Sequence, residues 1–184
     1  MTKNDYNSFI KSEIMAGDIK SDEYIGIIPY ATSIDTPIKK LSIVASCNTD
    51  CLISTTLKWK GTPGVKSYDV IGAYLENTIL QNRPTTTIST SLNTSNSNEI
   101  KQFNNGFGVS VALPRYGENI VINQTFRVAK QETVYSSYQH ATKTINLQDS
   151  KNYTLSKTGY GGVFNFSGTA ANTYDRMNGV SISL

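Results

Sequence analysis

Residues 105–147 read NGFGVSVALPRYGENIVINQTFRVAKQETVYSSYQHATKTINL, and this stretch decides the fold class. It holds three runs that alternate apolar and polar side chains with period two. The first places Phe107, Val109, Val111 and Leu113 on one face, the second Ile120, Ile122, Gln124, Phe126 and Val128, and the third Val134, Ser136, Tyr138 and His140 opposite Thr133, Tyr135, Ser137, Gln139 and Ala141. Alternation of this kind marks half-buried β-strands. The intervening Pro114-Arg115-Tyr116-Gly117-Glu118-Asn119 and Ala129-Lys130-Gln131-Glu132 have hairpin length, which predicts three consecutive antiparallel strands near the centre of one sheet.

The rest of the chain follows the same grammar. Strands are predicted over residues 41–46 and 52–59, over residues 67–80 with apolar side chains on both faces, and over residues 153–156, 162–167 and 180–184. Gly72, inside the third of these, marks a bulge or a close backbone approach. Residues 173–177 suggest a single helical turn. Nine to eleven strands at short spacing, separated by Gly, Pro and Asn turns, argue an all-β antiparallel sandwich of jelly-roll or immunoglobulin-like Greek-key type. With 184 residues the chain suits one core, read as a β-sandwich domain over residues 41–184. Residues 1–40 read as a cover or arm: a short N-terminal helix over residues 4–16, with Tyr6, Phe9, Ile10 and Ile14 at helical spacing, then an extended segment containing Pro29. Such an arm could also be a pro-segment or a strand donated to a neighbouring copy, so a homo-oligomer is among the expectations.

Cys47 and Cys51 flank the tripeptide Asn48-Thr49-Asp50 between two predicted strands. A hairpin there sets the two thiols face to face, and a disulfide can close the turn. With one distant His besides, they fall short of the four ligands a structural zinc site needs. Net charge is +3 with the basic residues scattered, which gives no phosphate-binding stripe and argues against nucleic acid. No cofactor fingerprint is present, since Gly159-Tyr160-Gly161-Gly162 lies between predicted strands and not before a helix. The opening MTKNDYNSFIKSEIMAG lacks the regions of a leader peptide. The Asn-, Ser- and Thr-rich composition nonetheless suits an extracellular or cell-surface protein.

For chemistry the sequence offers one His, His140. A Ser-His-acid set could draw on Ser136, Ser137 and Asp149, but along a strand Ser136 and His140 lie about 13 Å apart, and no nucleophile elbow supplies another Ser. Carboxylates at Asp69, Glu76, Glu118 and Glu132 could converge as in a glycosidase, a pattern any sandwich can offer. No catalytic residue is assigned. The candidate binding residues are aromatic and polar groups near strand ends, Trp59, Arg115, Tyr116, Glu118, Tyr138, His140 and Tyr160, which suit a protein or carbohydrate ligand. The expected function is that of a non-enzymatic exported binding or assembly module acting through loops and sheet edges. Two alternatives follow from particular features. The Ser/Thr-rich residues 85–106, which open with TTTISTSLNTSNS, could act as the hairpin of a β-pore-forming or membrane-active toxin, the one case that implies membrane contact, although their apolar positions are too sparse for a spanning strand. The other is a secreted hydrolase of polysaccharide or peptide with His140 as base.

Overall fold

The computed structural model describes residues 30–78, 80, 82–158 and 162–184. The predicted helix over residues 4–16, most of the arm and Tyr160 lie outside the described residues. In chain order the strands are β1 (Tyr30–Asp35), β2 (Lys39–Cys47), β3 (Cys51–Trp59), β4 (Tyr68–Leu75), β5 (Thr85–Ser89), β6 (Thr94–Ser97), β7 (Ile100–Phe103), β8 (Gly106–Ala112), β9 (Val121–Val128), β10 (Thr133–Gln139), β11 (Tyr153–Leu155), β12 (Phe164–Phe166) and β13 (Val180–Ser183). A four-residue helix, α1 (Leu147–Ser150), and a 3₁₀ turn (Gly168–Asn172) interrupt them, and residues 173–177 are not helical.

Every pairing is antiparallel. One sheet has the order β1-β2-β3-β9-β5-β6, a second β13-β10-β4-β8-β7, and β11-β12 form a separate hairpin. The three runs of residues 105–147 are indeed strands, yet they are not neighbours. Strand β8 lies in the second sheet, β9 in the first and β10 in the second again. Their connections cross the sandwich, because a few extended residues span the roughly 10 Å between packed sheets as readily as they turn a hairpin. The hydroxyl-rich stretch forms the hairpin β5-β6, with β5 paired to β9 and β6 at the sheet edge. Residues 30–35 pair along their length with β2, so this part of the arm belongs to the first sheet.

Period two sorts each strand into an inner and an outer face. Leu41, Ile43 and Ala45 of β2, Ile53 and Leu57 of β3 and Ile122, Phe126 and Val128 of β9 meet Ile71, Ala73 and Leu75 of β4, Phe107, Val109 and Val111 of β8 and Val134 of β10 in one buried core. Phe107 and Phe126 join the sheets edge to face at 5.0 Å. The apolar second face of β4 is covered as well, by β11-β12, whose Tyr153 and Phe164 pack on Val70 and Tyr135. Gly72 and Gly108 sit opposite each other beneath these rings. A β-carbon on Gly108 would lie 2.1 Å from the Tyr153 hydroxyl, and one on Gly72 3.0 Å from Phe164. The Gly72 of the sequence is therefore a close approach and not a bulge. Cys47 and Cys51 are directly opposed at the β2-β3 turn and form a disulfide.

Candidate functional site

Two charged residues occupy inward positions of the pleat. Lys39 begins β2 on the face that continues through Leu41 and Ile43, and Asp69 lies in β4 on the face of Ile71 and Ala73. Since β2 and β4 belong to opposite sheets, the sandwich carries both side chains into the same end of its interior. Lys39 is 2% exposed and Asp69 0%. Charges so placed must be paired, and each has a built environment.

Asp69 accepts hydrogen bonds from the Tyr138 hydroxyl, from the Ala141 N–H at 2.9 Å and from His140 Nδ1 at 2.9 and 3.0 Å. An ionised carboxylate only accepts, so Nδ1 carries the hydrogen and Nε2 is left to the cleft that His140 lines. Trp59 Nε1 donates to the Tyr138 oxygen at 3.1 Å, and the indole meets the imidazole edge to face at 4.8 Å. Burial pushes the Asp69 carboxyl above the ordinary carboxylate range, against the pull of its three donors. Burial, with the Asp69 charge beside it, also holds the Tyr138 phenol well above its usual value.

Lys39 Nζ pairs with the Asp175 carboxylate, from the segment that precedes β13, and lies over the rings of Trp59 at 5.1 Å and Tyr138 at 5.3 Å. The other Asp175 oxygen, Oδ1, accepts the His140 N–H at 3.0 Å and Gln139 Nε2 at 3.4 Å. The backbone closes the arrangement: the Asp175 N–H donates to the His140 carbonyl, and Gln139 Nε2 also donates to the Asp175 carbonyl. Above this network opens a cleft of about 310 Å³ lined by Pro37, Ile38, Trp59, His140 and residues 60–64. Ile38 stands 56% exposed at its rim.

Of the sequence candidates, Trp59, Tyr138 and His140 are thus brought together. Arg115, Tyr116 and Glu118 lie on the loop between β8 and β9 at the same end of the sandwich, with Tyr116 79% exposed. The bonds of this loop run elsewhere, from Lys66 Nζ to the Arg115 carbonyl and between Glu118 and Ser91. Ser136 bonds the Gly72 carbonyl, Ser137 accepts the Val163 N–H and Asp149 pairs with Asn146, so the sequence-local Ser-His-acid set is not assembled. Nor do the four acids converge: Glu132 binds Asn77 and Thr78, while Asp69 serves His140. Asp175 and Lys39 were missed by sequence reasoning, and Asp69 was weighed only as one of four acids that could converge. The available signal was an acid and a lysine standing in inward register between apolar neighbours. Among the described residues no group of three or more metal-binding side chains occurs.

No family model matches the chain, and no curated protein matches it. Among solved structures, the collagen-binding domain of a Staphylococcus aureus adhesin is similar at 12% identity and a TM-score of 0.34, over 66% of this chain and 92% of that one. The collagen-binding domain of Erysipelothrix rhusiopathiae surface protein RspB gives 9% and 0.38, over 87% and 57%. The pilus backbone RrgB of Streptococcus pneumoniae gives 9% and 0.35, over 85% and 47%. The chain therefore spans about half the length of the last two.

Proposed function

We propose that this chain is a non-catalytic binding module of an exported or cell-surface protein, which takes a protein ligand at the sandwich end that carries Trp59 and His140. The observation behind this reading is the cleft itself. Its floor is fixed by the Asp69–His140–Tyr138–Trp59 network, while its rim presents exposed Ile38 and Pro37. A rigid polar floor under an apolar rim suits an inserted side chain with one hydrogen-bonding group for His140 Nε2. Exposed Tyr116 on the neighbouring loop widens the contact surface at the same end. The Cys47–Cys51 disulfide supports an oxidising location. Four in-sheet hairpins, β1-β2, β2-β3, β5-β6 and β7-β8, are interspersed with sheet crossings, which favours an immunoglobulin-like Greek key over a jelly roll. The toxin alternative gains nothing from β5 and β6, whose five and four residues compare with the roughly nine to eleven that a spanning strand needs.

The test is a binding screen of the purified chain against immobilised extracellular proteins, with a glycan array beside it. A protein hit weakened at least tenfold by Ile38→Asp and by Tyr116→Ala is expected. Hits confined to glycans, or a protein hit indifferent to both substitutions, would overturn the reading.

A further inference from the structure

The Lys39–Asp175 pair is built more elaborately than an ion pair requires. The ammonium-bearing chain is 2% exposed, walled by two aromatic rings, and set against one carboxylate oxygen while two N–H donors hold the other. We propose that Lys39 and Asp175 condense to a side-chain amide, a covalent cross-link between the start of β2 in the first sheet and the segment leading into β13 in the second.

The step balances without any co-reactant. Inside the pair the ammonium passes a proton to Asp175 Oδ2, giving an amine and a carboxylic acid, and a neutral amine suits the buried setting of Lys39, 2% exposed beside a half-buried Asp175, better than an ammonium does. The Nζ lone pair then adds to Cγ, and the N–C bond forms. Negative charge collects on Oδ1, where the His140 N–H and the Gln139 amide already stand as an oxyanion hole. A second proton moves from nitrogen to Oδ2, the C–O bond breaks and Oδ2 departs as water. Amine and acid become amide and water, with nothing oxidised or reduced. Fixing the two groups in contact supplies the effective concentration that free amine and carboxylate lack in water. Asp69 is the positioning residue. By accepting the Ala141 N–H and His140 Nδ1–H it fixes residues 140–141, and with them the His140 N–H that meets Asp175.

Intact-mass measurement of the full, reduced wild-type chain tests the proposal without any variant. The mass should fall below that of the sequence by one water. Peptide mapping should then yield a branched peptide joining the segments of Lys39 and Asp175, and both signatures should vanish in Lys39→Arg and Asp175→Ala. A reduced chain at full sequence mass, or a missing water that maps to any other residue, would overturn the cross-link. For Asp69→Asn, shown folded by circular dichroism, a larger uncross-linked fraction soon after purification is expected, and an unchanged fraction would remove Asp69 from the arrangement.

Discussion

Replacing Gly108 by Ala adds one methyl group at the place where the small hairpin lies closest to the second sheet. That methyl would stand 2.1 Å from Tyr153 Oη, 2.6 Å from its Cζ and 3.0 Å from Phe164 Cε1. Restoring the nearest atom, Oη, to the 3.4 Å of ordinary contact needs a shift of about 1.3 Å. The Tyr153 ring has little freedom to make it. It is 2% exposed and held edge-on by Phe164 at 4.9 Å and Phe166 at 5.7 Å, so β11-β12 must lift as a unit. Overpacking of this kind costs about 1–3 kcal/mol, and partial loss of Tyr153 and Phe164 burial carries the expected total towards about 3 kcal/mol. Equilibrium urea unfolding measures it as a lower midpoint at unchanged slope. The assignment to Tyr153 is checked by a double-mutant cycle, in which Gly108→Ala should cost well under half as much in a Tyr153→Ala background. A cost below about 0.5 kcal/mol with Tyr153 intact, within the scatter of surface substitutions, would refute the reasoning. So would an equal cost in both backgrounds.

Further outcomes follow from the disulfide and from the buried acid. Because Cys47 and Cys51 are four residues apart, reducing their bond should lower stability by no more than about 2 kcal/mol on the chain-entropy account; a larger drop in the unfolding free energy with dithiothreitol would mean that the bond also orders the native hairpin. Burial raises the folded pKa of Asp69 above its unfolded value near 3.9, so between those two values the native state holds the extra proton. Stability contributed by this group is therefore present at the acid end and lost as pH rises through the window. The free-energy difference between wild type and Asp69→Asn, followed by urea unfolding from about pH 4 upward, should shift against the wild type, and a difference that grows in its favour would reverse the assignment.

What the sequence disclosed, and what it withheld, divides along physical lines. Strands were legible wherever apolar side chains recur at every second position, as in Phe107-Val109-Val111 or Ile120-Ile122, because burial of one face dictates that period. Sheet membership was not legible. Nothing in Ala129-Lys130-Gln131-Glu132 distinguishes a hairpin from a crossing, and only the partners of β9, namely β3 and β5, decide it. Strands β5 and β6 were read as one hydroxyl-rich stretch, because Ile88 and Leu92 are the only apolar residues in TTTISTSLNTSNS. At the site, Trp59, Tyr138 and His140 were found as aromatic groups near strand ends. Their meeting depends on Asp69, which sequence reasoning weighed only as one acid among several, and on Lys39, which counted only among the scattered basic residues. Reading inward register for charge as well as for apolarity would have singled out both.

The crossing connections also govern when the domain can exist at all. Strand β3 finds its second neighbour only in β9, from Val121 onward, and β4 completes its pairing only with β10, from Thr133 onward. Pairings so distant along the chain place the domain among slow folders, since the closure entropy is lost before the contacts are gained. A growing chain that has emerged as far as residue 120 holds β2-β3 with one bare, strand-forming edge of nine residues, the kind of surface on which chains join one another. During synthesis, the centre of the first sheet therefore has to be kept from foreign strands until about two-thirds of the chain is available.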